Sequence, residues 1–203
     1  MQEAITNMVQ SGQELAQYLM RRGFNLQEGG VLAEQQYFFS ELLRTRPEIQ
    51  LVGEIGFNAG FSAVTFLGTR EDTSLISFDL MEYDYSEYCK SYVNEEFPGR
   101  HTLVPGDSTK TVLAWQAANT AVQFDLIFID GGHDSETACA DIDNMRRLAH
   151  SNTLVVMNDL VPEKSWGEGP TYAWNQAIEQ GKIREITRCE TTTRRWGVGT
   201  YII

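Results

Sequence analysis

The chain has 203 residues, 42% of them hydrophobic and 22% charged, so it can bury one sizeable core and is too apolar for wholesale disorder. Its formal net charge of −12 repels a phosphate backbone, and no basic stripe offsets that charge, which argues against nucleic acid as a partner. An odd cysteine count without CxxC spacing is typical of reduced thiols in a cytoplasmic protein, and we expect neither an export signal nor a membrane span.

Helical and strand patterns alternate along most of the chain. Apolar positions at helical spacing predict a first helix over residues 1–22 and a second over Leu32–Leu43. Short apolar runs predict five strands, at Gln50–Gly53, Leu75–Phe78, Thr102–Val104, Phe124–Ile129 and Leu154–Met157. The helices predicted between them are Ser62–Leu67, Tyr85–Phe97, Thr109–Ala117 and Glu136–Ala149.

This order predicts a doubly wound α/β fold, because unalternated aliphatic strands separated by helices form a parallel sheet that is covered on both faces. The last two runs, Ile183–Thr191 and Arg195–Ile203, flank a possible turn and predict an antiparallel pair. We therefore expect a Rossmann-like, mostly parallel seven-stranded sheet in one domain over residues 1–203. Residues 1–46 would form an N-terminal helical lid and residues 50–203 the cofactor-binding core.

Each of the five predicted parallel strands ends on a polar residue. Ligands of such sheets bind beyond the carboxyl ends of the strands, at the point where the strand order reverses. One Asp at a strand end is commonly only a helix cap, but acids at five successive ends predict a binding site. These residues are Glu54, Asp79, Asp107, Asp130 and the pair Asn158–Asp159.

The loop after the first strand has two glycines, Gly56 and Gly60, which predict that the backbone closely approaches a ligand. No Gly-Lys-Ser/Thr follows them, which excludes a P-loop, and the dinucleotide fingerprint G-x-G-x-x-G is also missing. Asp79 lies at a distance downstream that is compatible with binding the ribose of NAD. A nucleotide-sugar-binding or NAD(P)-dependent oxidoreductase and a non-catalytic cofactor-binding protein therefore stay open as alternatives.

An ordered set of motifs between residues 50 and 180 resembles the class I S-adenosylmethionine-dependent methyltransferases. Within that class it is similar to the small O-methyltransferases, both the catechol type and the sugar and natural-product type. The motifs are EIGFNAGFSA (54–63), SFDL (77–80), PGDSTKTV (105–112), FDLIFIDGGHDSE (124–136) and VVMNDL (155–160), with a looser match at GPTYAWNQAI (169–178). The resemblance implies transfer of a methyl group from S-adenosylmethionine to a hydroxyl of a small molecule.

The resemblance also implies a binding site for the methionine part of the cofactor. Gly56 and Gly60 would let the chain pass it, and the Ser62 hydroxyl would meet its carboxylate. The alternative role for Ser62 is that of a helix N-cap. Glu54 and Asp130 would face the amino group and the sulfonium-bearing end.

The nucleoside part of the cofactor would lie against the next two strand ends. By the resemblance, Asp79 accepts both ribose hydroxyls, a bidentate role suited to a carboxylate, while Asp107 and Ser108 border the adenine. The cofactor-binding residues implied are Glu54, Gly56, Asn58, Gly60, Phe61, Ser62, Asp79, Leu80, Asp107, Ser108 and Asp130.

Three oxygen-bearing residues, Asp130, Asn158 and Asp159, are expected at adjacent strand ends. Catechol-type enzymes hold Mg²⁺ there with an Asp, an Asp and an Asn, so the resemblance implies a divalent metal, although the last two residues stand in the opposite order here. Asn carbonyls do bind hard cations. The alternative is that these residues cap a helix and orient the cofactor.

The catalytic residues implied are His133 and Asp130. His133 follows two glycines in IDGGHD, where catechol-type relatives have a lysine base, and an imidazole titrates near neutral pH. The alternative is a loop histidine that only bonds Asp134 or Asp159. Tyr37 and Trp166, the latter in the loop KSWGEG, are the predicted substrate contacts. The expected partners are a small molecule with a hydroxyl group and, for assembly, a second copy of the chain.

Overall fold

The computed structural model describes residues 2–24, 33–191 and 194–203, with side chains from Gly12 onwards. Met1 and Leu32, which the sequence analysis placed in the first two helices, lie outside the described residues. The helices are α1 Gln2–Arg21, α2 Ala33–Thr45, α3 Phe61–Thr69, α4 Ser86–Glu96, α5 Ser108–Ala118, α6 Ser135–Arg146 and α7 Ser165–Glu179. The strands are β1 Leu51–Ile55, β2 Ser74–Asp79, β3 His101–Pro105, β4 Phe124–Ile129, β5 Ala149–Met157, β6 Ile183–Glu190 and β7 Arg195–Tyr201.

The described strands form one seven-stranded sheet in the order β3-β2-β1-β4-β5-β7-β6. The first five strands are parallel, and β7 pairs antiparallel with both β5 and β6. The predicted fold class is confirmed, including the antiparallel pair at the end of the chain. Since the strand order reverses between β1 and β4, the crevice at their carboxyl ends is the expected ligand site.

Helices cover both faces of the sheet. Helices α1 to α4 pack on one face around a core that contains Phe39, Phe66 and Phe128, and α5 to α7 pack on the other face around Trp174 and Met145. The first two helices thus share the core of the domain, because their apolar side chains are buried against α3 and the sheet. Their role as a lid stays a prediction.

Most boundaries shift by a few residues, and the differences around β5 and Trp166 are the largest. The helix predicted to end at Ala149 ends at Arg146, and Ala149 belongs to the next strand. Strand β5 begins at Ala149 instead of Leu154, since its first half is polar and makes an irregular pairing in which Thr153 donates a 2.6 Å hydrogen bond to the Phe124 carbonyl. Trp166, predicted in a loop, lies in the first turn of α7. Both stretches are held by tertiary contacts that a local pattern does not contain.

Backbone hydrogen bonds align the strand ends beneath the crevice. The amide of Gly56 donates to the Phe78 carbonyl at 2.9 Å, and the amide of Asp130 donates to the Ile55 carbonyl at 2.9 Å. These bonds set the loops after β1 and β4 side by side. None of the helices in the described part of the chain combines the length and apolar character needed to cross a membrane.

Candidate active site

A cavity of about 1020 Å³ opens at the carboxyl ends of β1 to β4 and extends to the loop after β5. It lies at the reversal of the strand order, where the topology predicts a ligand. Its volume is at the upper end of the ~300–1,000 Å³ usual for ligand pockets, so it has room for a cofactor together with a small substrate.

The two glycines of the first loop are required by the packing of the protein itself. A Cβ on Gly56 would lie 2.0 Å from the Asp130 carbonyl oxygen, and its φ of +93° is disfavoured for other residues. Gly60 has a φ of +80°, and a Cβ there would lie 2.8 Å from the Phe57 ring. Gly56 lines the cavity whereas Gly60 does not, so the predicted contact of Gly60 with the cofactor is not supported.

Glu54 lies beneath the loop, with its side chain completely buried and outside the cavity lining. Ser62 donates a short hydrogen bond to one oxygen of this carboxyl, and Ser77 donates a 2.6 Å bond to the other. Burial raises the pKa of Glu54 to about 7. The structure therefore corrects the prediction that Glu54 faces the cofactor, because this carboxyl braces the loop from below.

Ser62 lines the cavity, but its hydroxyl hydrogen is directed at Glu54 and not at a ligand carboxylate. The N-cap alternative is also wrong, because α3 begins at Phe61 and Gly60 occupies the cap position. Phe61 is buried in the core, 8% exposed, and does not reach the cavity. Of the predicted cofactor-binding residues at the start of α3, only Ser62 therefore lines the cavity.

Asp79 stands at the end of β2 and lines the cavity with a firmly held carboxylate. The backbone amide of Asn58 donates to Oδ2 at 2.8 Å, and the amide of Met81 donates to Oδ1 at 2.7 Å. Both donors have positive φ, 46° and 59°, a strained conformation that persists only when surrounding contacts hold it. Asn58, which also lines the cavity, accepts a 2.8 Å bond from the Tyr85 hydroxyl. The carboxylate is therefore preorganised to accept further hydrogen bonds from a ligand.

The far side of the cavity from β4 is partly apolar. Leu80 lines it although its side chain is 59% exposed. Asp107 lines it too, but its carboxylate caps α5 and pairs with Lys110 at 2.7 Å, which lowers the pKa of Asp107 to about 2. Ser108 donates a 2.7 Å hydrogen bond to Asp141 on α6. Leu80 thus gives this part of the cavity an apolar surface on which an aromatic base can pack.

The predicted oxygen-bearing residues at the ends of β4 and β5 do converge. The Asn158 amide donates a 2.8 Å hydrogen bond to Oδ1 of Asp130, and its own oxygen accepts a 3.0 Å bond from Gln35 of α2. Loss of solvent and the nearby Asp159 charge raise the pKa of Asp130. Gln35 was not predicted, since a glutamine on an N-terminal helix gives no local signal for a site.

Asp159 is the centre of a second cluster, in which both carboxylate oxygens are engaged. His133 Nε2 lies 3.2 Å from Oδ2, and the Arg194 guanidinium donates to Oδ1 at 2.9 Å. All three residues line the cavity, as does Trp166, whose ring centroid is 6.2 Å from that of His133. The sequence analysis missed Arg194, which reaches the site only because β7 returns antiparallel beside β5.

Two predicted contacts have other positions. Tyr37 is 47% exposed and lies outside the cavity lining, because it is two residues beyond Gln35 and so points from a different face of α2. Asp134, one alternative partner of His133, accepts from the Thr137 amide at 2.8 Å and caps α6. The substrate-contact prediction is corrected for Tyr37, whereas Trp166 does line the cavity.

The described side chains do not fit a divalent cation as they are arranged. No group of three or more His, Cys, Asp or Glu within the described ranges is placed to hold a metal. Asn158 directs its N–H, not its oxygen, towards Asp130, and the Asp159 carboxylate is paired with a guanidinium. The Mg²⁺ implied by the resemblance stays a prediction, and its donor set here has an amide hydrogen and an arginine where a cation needs oxygens.

Comparison with known proteins agrees with this geometry. A family model described as a methyltransferase domain matches residues 54–160, just over half of the chain. The fold is similar to that of an O-methyltransferase from Bacillus cereus in complex with SAH, with a TM-score of 0.75 at 13% identity over 94% of this chain and 90% of that one. It is also similar to the O-methyltransferase TomG from Streptomyces achromogenes, involved in tomaymycin synthesis, in complex with SAM (TM-score 0.75, 14% identity, 94% and 89% covered). An SAH-bound methyltransferase from Podospora anserina gives a TM-score of 0.74 at 14% identity, with 97% and 88% covered. The family match confirms the methyltransferase resemblance, while the structures show the likeness of the fold.

Proposed function

The chain belongs to the methyltransferase-domain family, and we propose that it transfers the methyl group of S-adenosylmethionine to a hydroxyl group of a small molecule. The observation that carries the cofactor assignment is Asp79, whose carboxylate is fixed by two backbone amides at the wall of the cavity. An anionic acceptor at the end of the second strand suits the two hydroxyls of a ribose.

The rest of the cavity suits the other parts of this cofactor. Leu80 offers an exposed apolar surface for the adenine, and Asp107 and Ser108 line the same cavity. At the opposite end, the first turn of α3 borders the cavity through Ser62, and unpaired amides at a helix N-terminus favour a carboxylate. The acidic group Asp130 would then face the amino group and the positively charged sulfonium end.

His133 is the proposed general base of the transfer. Its Nε2 lies 3.2 Å from Oδ2 of Asp159, which orients the ring and stabilises the imidazolium that forms when the imidazole takes the proton of the acceptor hydroxyl. As that proton leaves, the acceptor oxygen bonds to the methyl carbon, and the electrons of the carbon–sulfur bond go to the sulfur. Trp166 beside this dyad would contact the acceptor molecule.

Metal assistance, implied by the resemblance, enters no step of this mechanism, because Asp159 is already paired with a cation. The Asp130 carboxylate would act beside the dyad by electrostatic stabilisation of the positive reacting centre. The acceptor itself is defined only as a small molecule with a nucleophilic hydroxyl. The homodimer expected from the sequence also stays a proposal, and the cavity does not depend on it.

Titration calorimetry tests the cofactor assignment without knowledge of the acceptor. We expect S-adenosylmethionine and S-adenosylhomocysteine to bind and NAD not to bind. Binding of NAD in preference to both would favour the oxidoreductase alternative. A panel of phenols, catechols and sugars should then yield at least one methylated product, and cofactor binding without any transfer to such acceptors would favour a non-catalytic protein.

A further inference from the structure

Arg194 occupies the place beside Asp159 where the family resemblance implies a metal ion. Its guanidinium donates to Oδ1 of Asp159 at 2.9 Å, and the side chains are only 28% and 6% exposed. The Arg194 charge also acts on Asp130, the other carboxylate at these strand ends. A single arginine thus pairs with one of the two acids that a divalent cation would need, and its charge acts on the other.

The neighbouring amides are arranged for hydrogen bonding and not for metal binding. Gln35 donates to the Asn158 oxygen at 3.0 Å, which leaves the Asn158 N–H directed at Asp130 at 2.8 Å. This chain of bonds joins α2 to the ends of β4 and β5 and satisfies the buried amide. Binding an ion would require the Asn158 amide to turn over and Arg194 to leave Asp159.

We propose that Arg194, and not a divalent ion, is the resident cation of the acceptor end of the cavity. The proposal rests on the proposed function only for its place in catalysis. The guanidinium holds the Asp159 carboxylate in position, so that this carboxylate orients His133. Arg194 is in this sense a positioning residue. A delocalised, permanently charged guanidinium suits a fixed pairing of this kind.

The test is a titration with Mn²⁺ followed by electron paramagnetic resonance, in the presence of S-adenosylhomocysteine. The proteins compared are the wild type, Arg194→Met, Arg194→Lys and Arg195→Met. Arg195 is the matched control, since it is adjacent in sequence but pairs with Glu163 and Glu190 on the surface. A thermal melt of each protein reports on folding, and calorimetry with S-adenosylhomocysteine reports on the cofactor assignment.

We expect the wild type, Arg194→Lys and Arg195→Met to leave the signal of free Mn²⁺ unchanged. Arg194→Met should bind the ion at least about tenfold more tightly than the wild type, because removal of a unit charge a few ångströms away relieves a repulsion of more than ~1.4 kcal/mol. Stoichiometric Mn²⁺ binding by the wild type would overturn the proposal even if no variant folded. A folded Arg194→Met that gains no more affinity than Arg195→Met would overturn it as well. Failure to bind S-adenosylhomocysteine would count against the proposed function, and the Mn²⁺ result would stand apart from it.

Discussion

Replacement of Asp79 by alanine tests the core of the cofactor assignment. In the proposed complex the carboxylate accepts two ribose hydroxyls while it keeps the amides of Asn58 and Met81. A hydrogen bond to a charged group contributes about 1.5–3 kcal/mol. Loss of one bond therefore weakens binding about tenfold or more, and loss of both, at the lower value, by about 3 kcal/mol or roughly 150-fold.

The assay is calorimetric titration of S-adenosylhomocysteine into the wild type, Asp79→Ala and Asp84→Ala. Asp84 is a matched control because it is an exposed acid in the same loop that does not line the cavity. Thermal melts without ligand separate the loss of ligand contacts from loosening of the loops after β1 and β2, where the amides of Asn58 and Met81 lose their acceptor. If Asp79→Ala stays folded and binds as tightly as Asp84→Ala, the ribose assignment is refuted.

Three further predictions follow from the same geometry. His133→Ala should lower kcat by about 10²–10⁴-fold with little change in cofactor affinity. The control is His150→Ala, which removes a comparable 3.1 Å His–Asp pair outside the cavity and should keep most of the activity. Equal losses of kcat in the two variants would contradict the base assignment. Because burial raises the pKa of Glu54 from 4.5 to about 7, the folded state binds that proton more tightly, and wild-type stability should fall as pH rises through this window. Because Glu54→Gln does not titrate, its free energy of unfolding should rise relative to that of the wild type as the pH increases, by up to about 3 kcal/mol above this pH window. Urea unfolding of both proteins below and above the window is the check. A stability difference that does not change with pH would refute the argument from the Glu54 pKa. Gly56→Ala should destabilise the fold by about 1–3 kcal/mol or more, since its Cβ meets a carbonyl oxygen at a positive φ, and a melting temperature equal to that of the wild type would contradict the reason given for this glycine.

The sequence alone determined the fold class and the edge of the sheet that forms the site. A short, mainly apolar run such as Phe124–Ile129 is enough to predict a buried parallel strand without any tertiary information. The acids that follow these runs were therefore placed together correctly, and Asp79, Asp130 and Asp159 all line one cavity. This inference succeeds because parallel strands share one carboxyl edge, whatever their side chains contact there.

Only the tertiary structure decided which of those residues face the cavity and what they contact. Glu54 and Asp79 both lie near the carboxyl ends of parallel strands, yet Glu54 is buried beneath a loop and Asp79 lines the cavity. Gln35 and Arg194 meet the site from opposite ends of the chain, 123 and 35 residues from their partners, and neither belongs to a local pattern. The physical reason is that sequence patterns report short-range propensity and burial, whereas the direction of a side chain and its hydrogen-bond partner are set by the packing of segments that are distant in the chain.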